Sequence, residues 1–93
     1  MEIDHQEFGS RGAWFVRDGD EIQAEMTYSK AGAEIIVIDH TAVSEALGGQ
    51  GVGKQLVNAA VEWARANNIQ IVPVCPFARS ILTADAQYED VLR

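Results

Sequence analysis

The stretch Leu47-Gly48-Gly49-Gln50-Gly51-Val52-Gly53-Lys54 constrains this chain more than any other. Four glycines in six residues separate an apolar run, Ile35-Ile36-Val37-Ile38, from an amphipathic stretch over residues 51–66. That order reads as strand, glycine loop, helix. Glycine lets the backbone turn sharply and come close to a ligand. The first amide N–H groups of the helix then face a compact anion with the positive end of the helix dipole. The segment predicts a pyrophosphate cradle beside a strand end.

The flanking patterns supply the rest of a small fold. Residues 13–17 (Ala-Trp-Phe-Val-Arg) predict a strand that turns at Asp18-Gly19-Asp20. Over residues 21–29, Ile22, Ala24, Met26 and Tyr28 share one face, with Gln23, Glu25 and Thr27 on the other. After a turn at Ala31-Gly32, Glu34 to Asp39 reads as a third strand, apolar enough to be covered on both faces. Three strands on tight turns predict an antiparallel meander. The period then changes: Val52, Leu56, Ala59, Ala60, Trp63 and Ala64 recur at helical spacing, closed by Asn67-Asn68. Ile69 to Cys75 is a fourth strand, reached by a right-handed crossover and parallel to the third. The segment from Phe77 to Arg93 predicts one or two short helices. Residues 1–93 read as a single α/β (α+β) domain without linker or repeat. The strand ends near His40 to Val43 and near Cys75 share the edge where open α/β sheets bind ligands.

Composition removes several classes of function. The chain has 93 residues and a net charge of −7, with no basic run to neutralise nucleic-acid phosphates. No apolar run approaches the roughly 20 residues of a membrane span, and the acidic Met-Glu-Ile-Asp start is not expected to act as a signal peptide. One cysteine gives no disulfide framework and suits a reducing cytoplasm. Glu21, Glu25, Glu45, Glu62, Glu89 and Asp90 are scattered, so no metal site is expected. An anionic ligand would therefore be held mainly by backbone amides and a few local cations.

Three pyrophosphates compete for the loop. Gly48, four residues, and Gly53-Lys54 nearly spell a nucleotide-triphosphate loop, but Gln55 stands where a hydroxyl must ligate magnesium. A dinucleotide fingerprint fails because Lys54 takes the place of its third glycine, and the next strand ends in Val74-Cys75 without an acid for the ribose. The third is coenzyme A. Here the chain resembles the GNAT acetyltransferase superfamily, whose cofactor loop runs Arg/Gln-x-x-Gly-x-Gly/Ala at a helix start. Gly51 and Gly53 match its small positions, and Gly48 departs from its Arg or Gln.

A closer resemblance is to the YjdJ-type small stand-alone N-acetyltransferases, similar to the core of a GNAT domain without its first helices. The shared pieces run in order: His40-Thr41-Ala42-Val43, Gly49-Gln50-Gly51-Val52, Leu56-Val57, Ala64-Arg65, and Val72-Pro73-Val74-Cys75-Pro76-Phe77. They span residues 14–90. Ile81 departs from the family's tyrosine, and Asp85-Ala86-Gln87-Tyr88 keeps only the last residue of its His-Pro-Glu-Tyr. The resemblance implies a minimal GNAT-like fold and transfer of an acetyl group from acetyl-CoA to an amine. It implies cofactor contacts at Thr41, Val43, Gly49, Gln50, Gly51, Val52, Gly53, Lys54 and Arg79. A coenzyme A-binding module without catalysis is the alternative.

Individual residues keep two readings each. Cys75, between two prolines at a strand end, either accepts the acetyl group as a thiolate or fills space as a small apolar group. His40 either acts as general base or supports the Cys75 thiolate, or else holds the loop backbone. Thr41 can add a hydroxyl to the same region. Lys54 and Arg79 either pair with phosphates or remain solvated helix cations. Trp14, Phe15, Trp63 and Phe77 read as core or sheet-cover residues. The acidic balance favours cationic acceptors such as polyamines or lysine-rich tails by electrostatic steering. The expected state is a monomer or a weak homodimer formed through exposed sheet edges.

Overall fold

A computed structural model describes residues 2–93. Its elements are β1 (Asp4–Phe8), β2 (Arg11–Asp18), β3 (Glu21–Lys30), β4 (Ile35–Val43), α1 (Val52–Ala66), β5 (Gln70–Pro73) and α2 (Pro76–Ala84). Single 3-10 turns at Glu45–Leu47 and Ala86–Tyr88 complete the order. The sheet runs β1-β2-β3-β4-β5, antiparallel throughout except for the parallel β4–β5 pair. This is the expected α/β meander with one β-α-β crossover.

One face of the sheet carries the core. Trp14, Val16, Ala24, Met26, Tyr28, Ile36, Ile38 and Ile71 meet Val52, Leu56, Ala60 and Ala64 of α1, all buried. The apolar positions of α1 recur every three or four residues, so a single stripe of the helix lies on the sheet. Ala78 and Leu82 of α2 and Tyr88 close the β5 side of the same core. The chain then returns as an edge: the Ile71 N–H donates to Val91 O (2.6 Å) and the Arg93 N–H to Ile71 O (2.9 Å).

Four expectations need correction. The meander has four strands rather than three, because Asp4–Phe8 adds to β2 along an edge whose residues are all exposed. Ile22 is half-exposed instead of sharing the face of Ala24, because a bulge between Val16 and Arg17 shifts the register. β4 is buried on one face only, at Ile36 and Ile38. It also runs on through His40 to Val43, which the sequence reading placed at a strand end. Phe77, read as a core or sheet-cover residue, is 43% exposed.

Two side chains tie the exposed β1 to the rest of the fold, and His5 is the one that reaches the aromatic core. The His5 imidazole stacks on Trp14 with centroids 4.4 Å apart, meets Trp63 edge-on at 5.2 Å, and sits 2.7 Å from the Tyr28 hydroxyl. Glu7 of the same strand pairs with Lys30 at 3.0 Å.

Candidate active site

β4 and β5 run together only as far as the Ile38–Pro73 pair. Beyond it, the N–H groups of Val74 (3.1 Å) and Cys75 (3.0 Å) both still donate to Ile38 O, and the chain then turns into α2. β4 continues for five more residues to Val43. A wedge opens there, with Asp39–Val43 as one wall and the Cys75–Phe77 corner as the other. Among the described residues no strand pairs with this stretch of β4 on its β5 side; on the other side it stays paired with β3.

The glycine loop leads from the top of β4 into α1. Gly51 is the N-cap with φ 68°, a left-handed conformation that costs an L side chain about 1–2 kcal/mol. The first amide of this turn to find an acceptor is that of Gln55, bonded to Gly51 O at 3.1 Å. Earlier in the loop, Gly48 N–H reaches Glu45 O (3.0 Å) and Gln50 N–H reaches Leu47 O (3.4 Å). The N–H groups of Gly49, Gly51, Val52, Gly53 and Lys54 meet no acceptor among the described residues. These are the orphan donors of a helix start, joined by one from the loop. The glycine at position 53 has a different cause. A Cβ there would overlap the Phe77 ring.

The second wall holds the thiol. Cys75 is buried at the N-cap of α2, and its Sγ lies 3.4 Å from Thr41 Oγ1. Burial pushes the thiol pKa up. The Thr41 hydroxyl and the backbone N–H groups of Ala78 and Phe77 oppose that by favouring the thiolate, and the balance lies below the ordinary thiol value. Those two amides face the sulfur without either closing a full cap hydrogen bond. Pro76 opens α2, where a missing N–H loses nothing.

Register decides how His40 and Thr41 are used. Thr41 pairs with buried Met26 and Val43 with buried Ala24, so both lie on the core face of the sheet with Cys75. His40 pairs with Thr27 on the opposite face and is exposed. The idea that His40 supports the Cys75 thiolate is therefore corrected: Thr41 does so. Lys54 in the first turn of α1 and Arg79 in the first turn of α2 are exposed. Among the described residues neither forms a close ion pair, whereas Arg11, Lys30 and Arg65 are all paired. Hydrogen bonds from Gln87, with the Lys54 charge adding to them, hold the Asp85 carboxyl below its ordinary pKa. The sequence reading did not place Phe77 beside the glycine loop. The Cys-Pro-Phe order puts it at the second position of α2, and the fold brings its ring against Gly53 of α1.

Among the described residues no group of three or more His, Cys, Asp or Glu side chains is placed to hold a metal. Among the same residues no helix is long and apolar enough to cross a membrane.

This arrangement agrees with the similarities of the chain to other proteins. The model of the GCN5-related N-acetyl-transferase family matches residues 13–91. The chain belongs to this family. Among solved structures, a GCN5-like candidate N-acetyltransferase from Staphylococcus aureus, determined by NMR, is 42% identical. The match covers 99% of this chain and 87% of that one, with a TM-score of 0.78. A GNAT family acetyltransferase from Elizabethkingia anophelis, solved with acetyl-CoA bound, shares the fold at 20% identity. That match covers 82% of this chain and 52% of the larger protein, with a TM-score of 0.62. An IAA acetyltransferase from Bacillus cereus shares it at 23% identity over 68% of this chain and 43% of that one, with a TM-score of 0.55. No curated protein matches. The fold is thus shared with the last two proteins, of which the match covers 52% and 43%.

Proposed function

We propose that this GNAT chain is a single-domain, acetyl-CoA-dependent N-acetyltransferase acting on an amine. The observation that carries the proposal is the row of unpaired amides at Gly49 and Gly51–Lys54, set beside a wedge with a thiol in its wall. Amides without acceptors, a glycine with positive φ, and two exposed cations outside any close ion pair fit a diphosphate. Acetyl-CoA, the ligand of the Elizabethkingia protein, brings such a diphosphate together with an activated thioester carbonyl. Gly49 to Lys54 would hold the diphosphate, with Lys54 and Arg79 adding charge. Thr41 and Val43 would line the wedge on the β4 side.

Two routes use the residues at hand. In the first, the Cys75 thiolate takes the acetyl group, forming a new C–S bond as the cofactor thiol leaves, and an amine then takes the acetyl from Cys75. In the second, an amine entering from the open face attacks the thioester carbonyl directly while His40 removes its proton; the C–S bond breaks and the cofactor leaves as its thiolate. Backbone N–H groups at the wedge polarise the carbonyl in either case. The lone thiol of the first route fits a cytoplasmic setting, where it stays reduced.

A coenzyme A-binding module without turnover is the second reading. It is favoured by Ile81, which puts an apolar side chain on α2 where the resembling proteins carry a tyrosine. Mixing the protein with acetyl-CoA and following thiol release with and without a panel of amines tests both. Amine-dependent release supports the enzyme; binding without turnover across the panel supports the module. Cys75→Ala then separates the routes: it retains acetyl-CoA binding in both and abolishes transfer only in the first.

A further inference from the structure

Phe77 stands out as a large apolar side chain at the wedge that neither route uses. It is 43% exposed, although it follows Cys75-Pro76 at the inner end of β5. Its ring edge, Cζ and Cε2, lies against Gly53, where a Cβ would overlap it. The ring therefore stands against the first turn of α1, carried by a residue two positions after Cys75. Resting on the functional reading above, we infer that Phe77 is a binding residue for the uncharged arm that joins the diphosphate of coenzyme A to its thioester. Gly53 is small so that this ring can stand at the mouth of α1.

The chemistry of the arm supports the assignment. It is a chain of methylenes and amides carrying a branched, apolar dimethyl carbon next to the diphosphate. A half-exposed aromatic ring beside the anion cradle, on the helix that Cys75 caps, gives such a group apolar surface to cover. The inference also gives the small residue at position 53 a cause other than approach of the phosphate. The missing Cβ of Gly53 points at Phe77.

Binding measurements by calorimetry on wild type, Phe77→Ala, Phe77→Leu, Gly53→Ala and the Gly53→Ala/Phe77→Ala double variant decide the matter. Two probes are used: coenzyme A, and adenosine 3′-phosphate 5′-diphosphate, which has the diphosphate but lacks the arm. Amide spectra check that each variant is folded. Phe77→Ala is expected to weaken coenzyme A by about tenfold and to leave the armless nucleotide unchanged. Phe77→Leu, which keeps the fold and part of the surface, falls between. Gly53→Ala weakens coenzyme A in the wild-type background and adds no further loss once Phe77 is gone. An unchanged coenzyme A affinity in Phe77→Ala overturns the inference, as does an equal loss for both probes. A Gly53→Ala loss of the same size in both backgrounds also overturns it. Wild-type protein that binds neither probe overturns the functional reading and this inference with it.

Discussion

At the corner where β1, β2 and β3 meet the C-terminal half of α1, rings touch rings and the polar atoms are matched. Trp14, Tyr28, Trp63 and His5 lie with centroids 4.4–5.9 Å apart, and the Tyr28 hydroxyl is bonded to His5. At the opposite corner, where β4 and β5 part beside two helix starts, there are glycines, unpaired amides and a lone thiol. The first corner is finished within the chain, so its residues contribute stability. The second leaves its donors free, and a free donor near the surface is available to a ligand. The contrast separates what holds this GNAT domain together from what lets it act.

The contrast can be broken by substitution, beginning with the largest effect. Trp14→Ala removes a side chain that is 2% exposed and is expected to cost about 3–5 kcal/mol. That is a large part of the roughly 5–15 kcal/mol typical of a whole domain, and denaturant unfolding measures it. Gly51→Val acts at the other corner. A β-branched residue is strained at φ 68°, so stability falls by about 1–2 kcal/mol. Coenzyme A affinity should fall by about tenfold or more, because the strained turn re-aims the amides. If Gly51→Val cost stability alone, the division between the corners would be false.

The smallest effect concerns pH. Burial holds the His5 pKa below the ordinary 6.5, with Glu7 opposing and Lys30 adding to the shift. Tyr28 is pushed up to about 12 by burial and by the Glu7 charge, so it stays neutral across this range. A folded-state pKa below the unfolded value means that the unfolded chain binds the proton first as pH falls. The contribution of His5 is complete above about pH 6.5 and declines as pH falls through its lower folded value. Melting temperatures taken from pH 7.5 downward (before the carboxylates titrate) should drop less steeply in His5→Gln than in wild type. Parallel slopes would show that His5 plays no part in acid sensitivity.

The sequence made the glycine loop, α1 and the parallel crossover legible because each rests on a local period or a backbone requirement. It did not reveal β1, since a strand exposed at every residue has no alternation to read, and only His5 ties it to the core. At the site, Cys75 and the loop were visible as residue types. The relation of His40 to Thr41 was not. Reading His40 to Val43 as a strand end let both side chains face the thiol, but β4 runs through them and its period of two sends neighbours to opposite faces. Phe77 was hidden for a similar reason. An aromatic residue reads as core unless the helix mouth beside it is known.

The central claim is that the free amides from Gly49 to Lys54 receive the diphosphate of coenzyme A. Titrating the nitrogen-15-labelled protein with coenzyme A tests it most directly. The account predicts saturable shifts at Gly49 and Gly51 to Lys54, with Thr41 and Cys75 following and the amides of His5 and Trp14 unmoved. Resonances of the loop that stay in place at saturating coenzyme A, or shifts gathered at the aromatic corner instead, would contradict it.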